Sequence, residues 1–387
     1  MLNSLIFLTA FSSIYLNRFG LQITQDFSLS FSYIFLYASL ATAYAQFKLV
    51  VDFASFICFL ALSFSGYISY AFGGSQRSLT SFFLFCFIYF PLVLRPAKQS
   101  NNSTFLFANL YLSLLVPLAF LGIAQFFLQF IISPAWLFDF RPFLPELIKN
   151  KNIMNSVIPI GPFIKSNGFF CLEPSIFSQW MSLGILLFLL FPCNYIYIFF
   201  FYLGLALSFS GTGVIMLLFT VIFSFFWNKW RIVQLNTVPI LLFVLFAFFG
   251  AGNLTLQRIQ EFSGGQQLKT TSAAARFVNP FIATRDNLFS SEKAFFFGKG
   301  PGSTLRSKDD FDYHDPAYAK LLIEYGMVGG LLFFFLLRSS FRDFFKPLTL
   351  IAVFLIQFLF LGGHLLTFDV VVVYIIFFKL APLLEPL

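Results

Sequence analysis

The sequence is short of charge, of histidine and of cysteine, and each shortage excludes something. Only 10% of its 387 residues are charged, against about 25% in an average soluble domain. Apolar residues make up 59%, and phenylalanine alone fills 64 positions. No water-soluble core needs that much apolar surface, so the composition predicts an integral membrane protein. The four cysteines (Cys58, Cys86, Cys171 and Cys193) form no CxxC pair and have no histidine beside them. Neither a metal site nor a disulfide framework is expected. The formal charge is +8, but the basic residues are scattered over many loops. No basic stripe or RNA-binding motif appears, so no nucleic-acid partner is expected. The charge reads as inside-anchoring plus a site for an anion. The first basic residue is Arg18, and no small-x-small cleavage motif follows it. The opening apolar run therefore reads as a retained helix rather than a signal peptide.

What is present is a series of long apolar runs. Only helices and closed barrels satisfy their backbone in lipid, and a barrel would show short alternating strands instead. A spanning helix needs roughly 20 apolar residues. The runs 2–16, 29–47, 49–72, 80–94, 105–132, 168–191, 195–208, 213–227, 237–252, 317–337, 347–365 and 368–384 are the candidates. The expected fold is an all-α polytopic bundle of about 12 transmembrane helices. Lys48, Arg95 with Lys98, "NKWR" (Asn228–Arg231) and "RSSFRDFFK" (Arg338–Lys346) mark loops on one face. An even number of candidate spans separates each pair of marks, which agrees with a cytoplasmic assignment for all of them. The division that follows is 1–132 and 168–252 as membrane helices, 133–167 as an outer loop, 253–316 as a large outer loop, and 317–387 as the last helices. The large loop holds 15 of the chain's 40 charged residues. A polar loop of that length is usually functional or disordered.

The polar features gather on the outer face. Lys165 precedes the run at 168–191, and Glu173, Pro174 and Ser175 open it. An acid inside an apolar run is costly unless it is paired or lines a wet cavity. Pro174 is expected to free a backbone carbonyl there. "SFSGTG" (Ser208–Gly213), with Ser210 and Thr212, is an outer turn. Arg276, Arg285, Arg306 and the "GKGPGS" segment (Gly298–Ser303) lie in the large loop, and Tyr313 and His314 close it. "GKGPGS" reads as a turn rather than a phosphate loop, because no strand–helix context surrounds it. Lys320 and Glu324 stand four apart, the spacing of a mutual ion pair.

Together these segments resemble a family. "FFFGKGPGSTL…YHDPAYAKLLIEYGMVGG", "NGFFCLEPSIFSQW", "ALSFSGTGVIML" and "AAARF" resemble, in order and spacing, the Wzy-type polysaccharide polymerase and O-antigen ligase superfamily, over roughly residues 160–340. The E-x-G-x-x-G pattern falls on Glu324, Gly326 and Gly329. Three departures stand out. Gly211 and Lys165 occupy places where the family often carries Arg, and Lys cannot grip a phosphate bidentately. Asp315 follows the histidine where Asn or Ser is common.

The resemblance implies a GT-C-like enzyme of the bacterial inner membrane with a large periplasmic loop. It implies transfer of a glycan from an undecaprenyl-pyrophosphate-linked oligosaccharide to a sugar hydroxyl of a second lipid-linked unit, with membrane lipid and a chain-length regulator protein as partners. No cofactor and no metal are implied. His314 would act as base. Arg276 would face the pyrophosphate, where positive charge stabilises the leaving group. Glu173 would orient the acceptor. Lys165, Arg285, Arg306, Tyr313, Ser210 and Thr212 would bind substrate. A ligase acting on lipid A–core, or a lipid-linked glycan transporter, are the alternatives. A transporter would carry charge deep within its spans.

Overall fold

The computed structural model describes residues 1–22, 28–74, 76–98, 102–132, 135–149, 156–191, 196–227, 229–230, 233–234, 236–237, 278–304, 306, 316–341, 348–361, 365 and 369–384. The chain is mostly helical. Helices stand at every expected position except 237–252, of which all but residue 237 lies outside the described residues. In chain order they are α1 (Leu2–Tyr15), α2 (Phe31–Ala45), α3 (Phe53–Phe72), α4 (Leu79–Tyr89), α5 (Ser103–Leu128), α6 (Pro174–Leu190), α7 (Ile196–Leu207) and α8 (Gly211–Phe226). There follow α9 (Asn279–Leu288), α10 (Glu292–Phe297), α11 (Ala317–Phe341), α12 (Leu348–Phe360) and α13 (Asp369–Ile375), the last running on through a π turn, Ile376–Leu380.

Three of these, α3, α5 and α11, are long and apolar enough to cross a membrane, and the other apolar helices are shorter, at 10–17 residues. The expected bundle of about 12 spans is therefore matched in part. Local chemistry explains some of the shortening. α4 stops at Tyr89 because Pro91 enters a 3-10 turn, Phe90–Val93, and proline cannot continue an α ladder. α6 starts at Pro174, six residues later than expected, because Gly168 and Phe169 both take left-handed backbone. Side-chain caps fix other starts. Asp52 accepts from Ser55 N at 2.9 Å at the head of α3, and Ser78 accepts from Ser81 N at the head of α4.

The fold is not wholly helical. Among the described residues three short antiparallel ladders join loops: β1 (Gly20–Gln22) with β2 (Ser28–Ser30), β3 (Leu49–Val51) with β4 (Leu94–Pro96), and β5 (Pro159–Ile160) with β6 (Phe163–Ile164). The middle ladder pairs Leu49 with Pro96 and Val51 with Leu94. It ties the Lys48 loop to the Arg95 loop, two loops that the charge pattern assigns to one face. At the opposite helix ends, Ser78 N donates to Pro301 O at 2.7 Å, and Ser166 N to Leu207 O at 3.1 Å. Loops assigned to the other face therefore touch one another too.

α1 packs on α2, α3 on α11, α5 on α7, and α6 on both α7 and α8. The core is aromatic. Phe85, Tyr89, Phe333 and Phe358 interlock between α4, α11 and α12 with ring centroids 4.8–6.4 Å apart. The outside of α3 is equally apolar. Phe53, Ile57, Leu60, Phe64 and Tyr67 form one exposed stripe at helical spacing. A stripe of that length facing water would be an aggregation surface, whereas acyl chains solvate it.

Candidate functional site

The first cluster is built at the heads of α6 and α8. Glu173 is the N-cap residue of α6 and is half-buried, and its Oε1 accepts a short hydrogen bond from Ser175 Oγ. Pro174 occupies the first helical position. A proline there gives up an N–H that has no helical partner anyway. The expectation that it frees a carbonyl is thus corrected: the ring starts the helix and costs it no bond. One turn on, Ser178 Oγ donates to Ser175 O at 2.7 Å and lies 3.1 Å from Thr212 Oγ1. Thr212 also reaches Ser210 Oγ at 2.9 Å and Ser175 O at 3.4 Å. Gly213 N donates to Ser178 Oγ at 3.1 Å, and Ser182 Oγ returns a bond to Gly213 O at 2.8 Å. The "EPS" segment and the "SGTG" turn, read separately from the sequence, form one buried hydroxyl network.

The second cluster is the broken helix α11. Gly326 sits inside it at φ 67°, ψ −170°, a backbone region open essentially to glycine alone. The break releases carbonyls, and the "GKGPGS" turn takes them. Lys299 N donates to Ile323 O at 2.8 Å and Gly300 N to Glu324 O at 3.1 Å, with Ser69 Oγ also donating to Glu324 O. Backbone meets backbone here. A Cβ on Gly326 would stand 2.5 Å from Phe296 O, and one on Gly298 would stand 2.5 Å from Glu324 C. The segment is a turn, as its context predicted, and these amide N–H groups are spent on the helix rather than on a phosphate. Beside the break, Lys320 Nζ lies 3.4 Å from Glu324 Oε1, the expected ion pair, and both side chains are buried. Thr304 Oγ1 joins them, donating to Glu324 Oε1 at 2.8 Å and standing 3.1 Å from Lys320 Nζ. Glu324 Oε2 is buried and has no hydrogen-bond partner among the described residues.

The third cluster was missed by sequence reasoning. Arg18, just past α1, is fully buried. It donates to Asp139 Oδ1 at 2.7 Å, Phe138 O at 2.6 Å and Cys171 O at 2.7 Å, and stacks 5.1 Å over Phe140. Arg141 grips the same carboxylate through Nε and Nη2 and reaches Ser156 Oγ at 3.2 Å. Gln125 and Asn167 complete the network at 2.9 Å. Burial pushes the Arg18 guanidinium down to about 10, with the Asp139 charge opposing it, so it stays charged at neutral pH. Burial pushes the Asp139 carboxyl up, but hydrogen bonds and charge from Arg141, with the Arg18 charge, outweigh it and hold the group below its ordinary value. Residues 135–149 and 156–172 are thereby pinned to the end of α1 and to the stretch of chain leading into Glu173. The signal for it was a lone arginine closing one apolar run and a D-x-R triplet in a loop of the same face.

The remaining expected residues divide. Arg285 is exposed on α9 and pairs with Asp286 at 2.8 Å. Arg306 donates to Gln76 O at 3.2 Å and Gly302 O at 3.4 Å, bracing the turn. Lys165 follows the β5–β6 hairpin and is half-buried, its N donating to Ile158 O at 2.9 Å. Arg276, Tyr313 and His314, and with them the expected base and the first pyrophosphate cation, lie outside the described residues. Comparison with protein-family models, with curated proteins and with solved structures finds no significant match to this chain.

Proposed function

We propose that the chain is a polytopic, inner-membrane glycan polymerase of GT-C-like architecture. Its reaction transfers glycan from an undecaprenyl-pyrophosphate donor to a lipid-linked repeat unit at the periplasmic face. The observation that supports this reading most is the junction of Glu173–Ser178 with Ser210–Gly213. The family resemblance singles out both segments independently, and hydrogen bonds join them at the heads of two apolar helices. In this scheme Glu173, half-buried and with one oxygen engaged by Ser175, orients the acceptor hydroxyl. His314 removes its proton, and Arg276 with Lys165 faces the departing pyrophosphate. Asp139 fixes Arg18 and Arg141 so firmly that these two arginines serve the scaffold rather than the donor.

A transporter is the second reading, favoured by one observation: α11 is broken at Gly326 beside a buried Lys320–Glu324 pair, and transporters bind coupling ions at broken helices. Against it, Lys299 N, Gly300 N and Ser69 Oγ already occupy the released carbonyls, so those groups are not held ready for an ion.

The test is reconstitution in lipid vesicles with lipid-linked repeat units, with and without core lipid. Polymer forming without core lipid supports the polymerase, and product forming only with it would indicate the ligase. Movement of repeat units across the bilayer without extension would indicate the transporter. His314→Ala is expected to abolish extension while leaving the protein folded. A variant that extends glycan at the parent rate would remove His314 as the base.

A further inference from the structure

The large loop preceding α11 is not all loop. Residues 279–297 fold into α9 and α10, and this pair packs on α11, with α10 also on α3. Its inner side is made mostly of small residues: Asn279, Pro280, Ala283, Thr284, Leu288 and Ala294 are buried. Its outer side is unusual for a solvated loop. Phe281, Arg285 and Phe289 follow one another at intervals of four, one above the next, and Phe281 and Phe289 are 64% and 68% exposed. Phe296 is exposed as well, and Phe289 packs at a tilt against Phe295 with centroids 5.5 Å apart.

We infer that the α9–α10 hairpin lies in the headgroup layer of the outer leaflet, with Phe281, Phe289 and Phe296 inserted among the upper acyl chains and Arg285 at the phosphates. Continuity carries the argument. Phe72, exposed in the last turn of α3, has its ring 6.3 Å from that of Phe297 in α10. The end of a helix long enough to span a membrane therefore meets the hairpin ring to ring. The height fits too. Arg77, at the same end of α3, covers the carbonyls of Tyr70 and Ala71, and its guanidinium lies 4.9 Å over the Tyr70 ring. Aromatic rings with basic heads beside them are the chemistry of the bilayer interface. Within the hairpin Arg285 and Lys293 are balanced by Asp286 and Glu292, so insertion of rings, not attraction to anionic lipid, supplies the affinity. The inference reassigns Arg285 from donor binding to anchoring. It rests only on the chain being a membrane protein, not on the polymerase reading.

Single cysteines at positions 289 and 64, in a background with Cys58, Cys86, Cys171 and Cys193 replaced by alanine, would carry a nitroxide. Its collisions with oxygen and with a water-soluble nickel chelate would be read in phosphatidylcholine vesicles. The expected result is that Phe289→Cys loses nearly all nickel broadening and keeps strong oxygen broadening, as Phe64→Cys does. Nickel access at 289 with lipid contact at 64 would overturn the hairpin's placement. Exclusion of both reagents at 289 would overturn it as well, because a second protein surface would then cover the site. Nickel access at both positions would sink the membrane reading itself. If the cysteine-free chain does not fold, Phe289→Trp in the parent sequence serves instead. Its added emission should be quenched by dibrominated phosphatidylcholine, and unquenched emission would overturn the inference.

Discussion

The break in α11 yields the sharpest expectation. Gly326→Ala puts a methyl group 2.5 Å from Phe296 O and 2.6 Å from Gly298 N. Real side chains do not approach backbone that closely, so α11 and the 298–300 turn must separate. Forcing alanine into this backbone region costs on the order of 1–3 kcal/mol. Separation also removes the bonds from Lys299 N to Ile323 O and from Gly300 N to Glu324 O, each worth about 1 kcal/mol net. The two terms overlap, because relaxing the strain is what breaks the bonds, so the expected loss is about 3 kcal/mol. The assay is reversible unfolding in mixed micelles with increasing dodecyl sulfate, followed by helical circular dichroism. Gly211→Ala is the control. A Cβ there meets nothing within 4 Å and the residue opens α8, so its stability should stay within about 0.5 kcal/mol of the parent. If Gly326→Ala unfolds with the control, the backbone apposition of Gly298 and Gly326 does not hold the turn on the helix, and the reasoning fails.

Two further perturbations address the buried charges. Asp139→Asn removes the countercharge of a fully buried arginine and is expected to cost roughly 3 kcal/mol, the lower end for breaking a buried pair, because Asp139 is partly exposed. The pH dependence has a definite sign. The folded-state value of Asp139 is lowered, so its contribution is complete above the unfolded value near 4 and disappears as pH falls through the lower folded value. Unfolding midpoints measured from pH 6 downward should fall in that window for the parent and fall less for Asp139→Asn; parallel curves would contradict the assignment. Glu324→Ala removes the countercharge of buried Lys320 and should destabilise by about 3 kcal/mol, while Lys320→Met with Glu324→Leu should recover most of the loss. A double variant no better than Glu324→Ala would mean that the pair contributes more than mutual neutralisation.

How far the sequence could be read depended on the range of each interaction. The positions of the apolar helices were legible because apolar runs are local, but α9 and α10 fall inside the expected loop 253–316, where no apolar run marks them. Helix lengths were less legible. Pro91 ends one run and the left-handed pair Gly168–Phe169 delays another, and hydropathy does not register either. The clusters divide in the same way. Lys320 and Glu324 lie one helical turn apart, so their pairing could be anticipated from spacing alone. The Gly298–Gly326 apposition was visible only as two glycine patterns, since nothing local says that one turn will fill the other's broken helix. Arg18 left the least trace. Its partner Asp139 lies 121 residues along the chain, and only folding brings a single arginine after one run to a D-x-R triplet after another. That node also bears on the substitution of Lys165 where the family resemblance suggested arginine. Arg18 and Arg141 already stand beside the segment leading into Glu173, but both are committed to Asp139. Held there by Asp139, neither arginine takes the place of the one that the resemblance led us to expect near position 165.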